Sequence, residues 1–250
     1  LCTCPVEPEA LACALDGLTA EGRTPFGVYL TSPDYLGFVQ DIAGLAAVCH
    51  AHGVPLLVDN AHGAYLHFLK EGSRHPIQLG ADLCCDSAHK TLPVLTGGAY
   101  LHLGPSVQAD EAAVRNALAL FGSTSPSYLI LQSLDAANAR LADDFREKLA
   151  LCRWRLGMLC RELGMECIWP RIFSVYGMYE KETTMIASGL RKMLRGEPTE
   201  FTPAMQRWDY LYSKDAGRAY YLIGEKGRDG AVYCIGSGEA HPLKEYILKM

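Results

Sequence analysis

Four short apolar runs, each cut off by Gly, Pro or Asp, constrain this chain more than any other feature. They occupy residues 26–31, 55–58, 81–86 and 98–103, the second ending at Asp59. Helical periodicity fills the gaps. Residues 8–20 read as a helix with Pro8 in its first turn. Residues 41–52 carry Ile42, Leu45, Ala46 and Cys49 at helical spacing until Gly53 stops the pattern. Strands apolar along their length need cover on both faces. Alternated with helices, they predict an α/β layered domain around a mainly parallel sheet.

From residue 127 to Gly164 the pattern is almost wholly helical, with Leu129, Leu131, Leu134, Ala137, Leu141, Phe145, Leu149, Leu156, Leu159 and Leu163 at three- and four-residue spacing. Neither Gly nor Pro falls between Pro126 and Gly157. Helix is therefore expected to run through residue 150, with a kink near Asp143-Asp144 or Gly157. It should carry two apolar clusters, one toward each half of the chain. Beyond it, residues 167–175, 208–212 and 231–235 read as extended, and 181–195, 215–225 and 242–249 as helices.

The chain has 28 acidic and 23 basic residues, a formal charge of −5, so no basic excess holds a polyanion and nucleic acid is not an expected partner. No apolar run reaches the ~18 residues a membrane span needs, and the start lacks a signal-peptide pattern. The first residue is Leu, which suggests a chain beginning inside a longer protein. Ten cysteines form no Cys-x-x-Cys pair, and Cys84-Cys85 are adjacent. They read as reduced, mostly buried thiols of a cytoplasmic protein. None of the ligand spacings of known zinc modules occurs, so no metal site is expected.

The chemistry concentrates between Asp59 and Lys90. Both follow the carboxyl end of a strand, where ligands sit in open α/β sheets. Ser87-Ala88-His89-Lys90-Thr91 places a lysine among hydroxyls and an imidazole. Such a lysine can bind an aldehyde cofactor as a Schiff base. Pyridoxal phosphate needs that lysine, a carboxylate facing its ring nitrogen, and phosphate donors. Asp59 can be the carboxylate, Ser87 and His89 the donors, and Ala61 is small enough to lie under the ring. A strand-end Asp and an exposed Lys also occur in almost every α/β protein, so chemistry alone leaves the site open.

Three blocks carry a family resemblance. Thr31-Ser32-Pro33-Asp34-Tyr35-Leu36-Gly37, Leu57-Val58-Asp59-Asn60-Ala61-His62-Gly63-Ala64 and Ser87-Ala88-His89-Lys90-Thr91-Leu92-Pro93 resemble, in order and spacing, the large domain of the ornithine/lysine/arginine decarboxylases, fold-type-I pyridoxal-phosphate enzymes of the aspartate-aminotransferase type. Thr124-Ser125-Pro126-Ser127-Tyr128 resembles a fourth block. The resemblance covers residues 1–150. It implies that Lys90 is the Schiff-base lysine and Asp59 the partner of the pyridine nitrogen. It makes Ser87 and His89 phosphate ligands, packs Ala61 on the ring, and sets His62 beside cofactor or substrate. Thr124 and Ser125 would reach the phosphate of a neighbouring subunit, which implies a homodimer, and the substrate implied is a small molecule, a basic amino acid. Asn60 stands where the family usually has Glu. The family's phosphate-cradling turn and stacking aromatic ring come from a part that would precede residue 1. The chain is thus expected to hold half a site and to have impaired activity.

Residues 151–250 resemble another family. Leu159-Cys160-Arg161-Glu162-Leu163-Gly164, the run from Ile168 to Gly177, Arg207-Trp208-Asp209-Tyr210-Leu211-Tyr212 and Val232-Tyr233-Cys234-Ile235-Gly236-Ser237-Gly238 look like the C-terminal half of extended short-chain dehydrogenases, the NAD-dependent nucleotide-sugar epimerases and dehydratases. The resemblance implies a small α/β lobe like an epimerase's substrate lobe, with Arg207 on a nucleotide-sugar diphosphate. No glycine-rich turn after a first strand and no Tyr-x-x-x-Lys pair is present, so NAD is not expected to bind. The reading that results is a composite. Part of a basic-amino-acid decarboxylase is joined to an epimerase tail, with a nucleotide-sugar binding module or an inactive fusion fragment as alternatives.

Overall fold

A computed structural model describes residues 5–123 and 125–250. It divides into two compact units, Leu1–Gly157 and Met158–Met250.

The first unit opens with α1 (Pro8–Ala20), β1 (Val28–Thr31), α2 (Ile42–Ala51) and β2 (Leu56–Asp59). Asp41 caps α2 by accepting the Gly44 N–H, and Gly53 leaves the helix at φ +66°. Two 3₁₀ turns follow, Ala64–Phe68 and Pro76–Leu79. Then come β3 (Leu83–Asp86), the single-turn α3 (Ala88–Thr91), β4 (Tyr100–Leu103), α4 (Glu111–Phe121) and α5 (Tyr128–Asp143). Helix α6 (Phe145–Glu162) contains the boundary between the units.

The sheet order is β1-β2-β3-β4. The first three strands are parallel and β4 is antiparallel to β3. The sheet is therefore mixed and mostly parallel. Ile42, Leu45, Ala46 and Cys49 of α2 cover one face by packing on Leu56, Val58 and Ala81. Asp82, buried beneath the strand starts, accepts from the Leu56 N–H (2.8 Å) and the Ser106 hydroxyl (2.6 Å) and pairs with His50 (2.9 Å).

The opposite face departs from the expectation of a doubly buried sheet. Tyr29 and Thr31 of β1 and Cys85 of β3 are exposed, while Cys84 and Asp86 beside it are buried. Alternating burial within apolar strands means that one face has cover and the other does not. The thiols correct a second expectation. The eight described cysteines are free, but only Cys49 and Cys84 are buried, and Cys13, Cys85, Cys152 and Cys234 are exposed. Cys2 and Cys4 lie outside the described residues.

Helix does run through residue 150, with one break, at Asp144. Asp144 holds the start of α6 by pairing with Lys148 (2.6 Å). Leu134, Leu141 and Phe145 pack on a cluster of Ala64, Ala88 and Leu92. The second apolar cluster did not form: α6 buries no residue, and Leu151, Trp154, Leu156 and Leu159 are exposed.

In the second unit the extended run around Phe173 is two strands, β5 (Trp169–Ile172) and β6 (Ser174–Tyr176). Next come α7 (Met185–Leu194), β7 (Arg207–Trp208), β8 (Tyr210–Tyr212), α8 (Ser213–Lys226), β9 (Val232–Ile235), β10 (His241–Pro242) and α9 (Leu243–Lys249). The strands pair as β5 with β9, β6 with β8 and β7 with β10. No sheet among the described residues takes strands from both units. No helix is long and apolar enough to cross a membrane among the described residues.

Candidate functional site

Asp59 ends β2 and is paired in register with Thr31 and Cys85, which places it on the uncovered face of the sheet. Its Oδ1 accepts the N–H of Ala61 (3.0 Å) and its Oδ2 the hydroxyl of Tyr29 (3.3 Å). The carboxylate is thus aimed by its own turn and by a neighbouring strand. The backbone then bends away. Gly63 donates to the Asn60 carbonyl (2.8 Å), and a Cβ at Gly63 would collide with the Asn60 side chain and Pro33. That crowding requires glycine there.

Lys90 lies in α3, the single turn after β3, and its N–H bonds to the Ser87 carbonyl (3.0 Å). Its side chain is exposed and has no ion-pair or hydrogen-bond partner among the described residues. Ser87 precedes the turn and is half-buried. His89 is held by Gly98, whose carbonyl accepts the His89 N–H (3.2 Å) and lies 2.9 Å from its Nδ1. A carbonyl only accepts, so Nδ1 carries a proton and Nε2 is left for another partner.

His62 ties the two charges together. Its ring packs edge-on against Tyr35, with centroids 4.7 Å apart. Burial pushes its imidazole below the ordinary histidine range, the Lys90 ammonium pushes it further down, and the Asp59 carboxylate opposes both. Lys90 and Asp59 thus bear on His62 with opposite sign. Ser125 is exposed in the connection between α4 and α5, where its N–H bonds to Ser123 Oγ (3.2 Å). Thr124 lies outside the described residues. Arg207, in the second unit, is exposed and donates to the Ala240 carbonyl.

A second polar cluster had no signal in the motifs. His75, which caps the second 3₁₀ turn, and His102 of β4 each place Nε2 3.0 Å from Asp86 Oδ2. Asn60 Nδ2 donates to Asp86 Oδ1 (2.6 Å). Burial pushes the Asp86 carboxyl up, but hydrogen bonds from His102, His75 and Asn60 and the His75 charge outweigh it and hold the group well below the carboxylate range. The cluster borders a cavity of about 450 Å³ lined also by His67, Phe68, Tyr100 and Asn138. Its members lie 11 and 16 residues apart in sequence, beyond the reach of local spacing rules.

Comparison with known proteins separates the halves of the chain. Residues 6–156 match the family model "Orn/Lys/Arg decarboxylase, major domain". Residues 148–236 match the model of the "NAD dependent epimerase/dehydratase family". Uncharacterized protein YaaO of Bacillus subtilis (strain 168) is 44% identical over 116 residues, 45% of this chain and 24% of that protein. An arginine decarboxylase of the same organism is 31% identical over 179 residues, 70% of this chain and 36% of the relative. The chain thus spans a quarter to about a third of the length of these relatives. A crystal structure of mouse CSAD is 29% identical over 42% of this chain and 23% of its own, with a TM-score of 0.37.

Proposed function

Because the chain belongs to the Orn/Lys/Arg decarboxylase family through residues 6–156, we propose that this part of it binds pyridoxal phosphate and serves the decarboxylation of a basic amino acid. The observation that supports the reading is that Asp59 ends β2 while Lys90 lies in the turn that follows β3, the neighbouring parallel strand. The residues suit the cofactor. Lys90 is exposed and unpartnered among the described residues, and Asp59 is bound only by the Ala61 N–H and a long bond from Tyr29 on an uncovered face.

Pyridoxal phosphate supplies an electron sink for the pair left behind when a carboxylate departs as carbon dioxide. Lys90 Nζ is the amine that would hold its aldehyde carbon. Asp59, ionised, would hold a proton at the ring nitrogen. Ala61 presents only a methyl group to a flat ring. His62, kept neutral near pH 7 by burial and by Lys90, can take a proton from an ammonium group nearby. Ser87 Oγ can donate to a phosphate directly. His89, with Nδ1 committed to the Gly98 carbonyl, would meet a phosphate through Nε2. In the same reading Thr124 and Ser125 serve a second subunit, which makes the working form a homodimer.

Residues 148–236 we read as an epimerase-type piece joined to this domain. Arg207 gives one N–H to the Ala240 carbonyl and keeps other guanidinium donors, so in this reading it would contact a nucleotide-sugar diphosphate.

The test is titration of the full chain with pyridoxal phosphate, followed by the shift in the cofactor's visible absorption. Saturable binding that Lys90→Ala abolishes and Asp59→Asn weakens is expected. Equal binding by Lys90→Ala and the parent chain would overturn the reading.

A further inference from the structure

Asp86 is a buried anion with no lysine or arginine partner among the described residues. Two imidazoles and one amide face it. Buried charge is tolerated when it is paired or when it binds a metal. The groups gathered here, two imidazoles and a carboxylate, are all metal-ligating types.

The geometry also points to an ion. One ligand atom each from His75, Asp86 and His102 lie within 4.8 Å of one another. A tetrahedral ion with bonds of about 2.0–2.1 Å would separate neighbouring ligands by about 3.4 Å. Both Nε2 atoms now stand 3.0 Å from Oδ2, so each imidazole and the carboxylate need part by only a few tenths of an ångström. Asn60 fixes the carboxylate from behind through Oδ1, the second-layer contact that orients metal ligands. The adjoining cavity of about 450 Å³ leaves room for a fourth ligand, and the half-exposed His102 gives a way in. Binding moves the proton of each imidazole to Nδ1. It also gives up the long 3.4 Å bond from the Ile77 N–H to His75 Nδ1.

We propose that His75, Asp86 and His102 form a three-ligand site for a divalent transition-metal ion, on the covered face of the sheet and separate from the Asp59–Lys90 site. Two imidazoles and one carboxylate suit zinc(II), cobalt(II), nickel(II) or iron(II), and suit calcium or magnesium poorly because those ions take oxygen ligands.

The experiment uses the full chain, stripped with a chelator and titrated with zinc(II) against a competing dye and with cobalt(II) in the visible range. About one ion per chain and the intense bands of tetrahedral cobalt are expected. His102→Ala should abolish both, and Asn60→Ala should weaken binding about 10–100-fold. His67→Ala, which changes the same cavity without removing a ligand, should leave the stoichiometry unchanged. Asp86→Asn should also abolish binding; if it fails to fold, His102→Ala, with its half-exposed side chain, decides. No saturable binding, or binding that survives in His102→Ala, would overturn the proposal. The second result would assign the ion to another histidine, such as His241 beside Glu239 and Glu245.

Discussion

His75 and His102 converge on a single oxygen, Oδ2 of Asp86, at the same 3.0 Å, their rings edge-on with centroids 5.1 Å apart. This joins β4, β3 and the second 3₁₀ turn. Asn60, at the end of β2, adds a third tie on the other oxygen.

Removing that carboxylate should cost the first unit dearly. Asp86→Ala leaves the buried His75 ring N–H, the half-exposed His102 ring N–H and an amide without an acceptor, for a loss of about 3 kcal/mol. Its pH signature is specific. The folded-state pKa is depressed, so the unfolded chain takes up the proton first on acidification. The Asp86 contribution is complete above the ordinary carboxylate value of about 3.9 and is lost as pH falls below it. Urea unfolding followed by circular dichroism should show a steep fall in stability below about pH 4. In Asp86→Ala that slope should flatten. An equal slope in both proteins would mean that other carboxylates dominate.

Apolar residues of like size should differ sharply with their place. Leu45, fully buried between α2 and the sheet, should cost about 2–5 kcal/mol when changed to alanine. Leu159, half exposed on α6, should cost no more than about 0.5 kcal/mol. Urea midpoints of the two variants test this. A large loss at Leu159 would show that α6 has cover in solution, supplied by another chain.

Local chemistry made much of the fold legible. The Gly53 stop and the α2 stripe of Ile42, Leu45, Ala46 and Cys49 are short-range features, and the helix fell where they indicate. Pattern alone could not show that the β1–β4 face bearing Tyr29 and Cys85 lacks cover, because apolar runs do not record which neighbour is missing. Nor could it show the direction of β4. At the site, Asp59 and Lys90 were readable because each stands at a strand end within a local motif. His75, Asp86 and His102 were not, because they meet only once three elements have packed.

The second unit should not bind NAD, although residues 148–236 match a family of NAD-dependent enzymes. A pyrophosphate needs backbone N–H groups at a helix N-terminus, approached over a glycine-rich turn. The sequence has no such turn after a first strand. Isothermal calorimetry with NAD should give no heat beyond dilution. Micromolar binding would show that the cradle is built another way.

The central claim is that Lys90 is the cofactor lysine, and chemical trapping tests it most directly. The full chain is incubated with pyridoxal phosphate, reduced with borohydride and digested, and the modified peptides are mapped by mass spectrometry. A stable adduct at Lys90, outweighing any at the other exposed lysines and suppressed in Asp59→Asn, is the predicted result. Label scattered over surface lysines with Lys90 unmarked would contradict it.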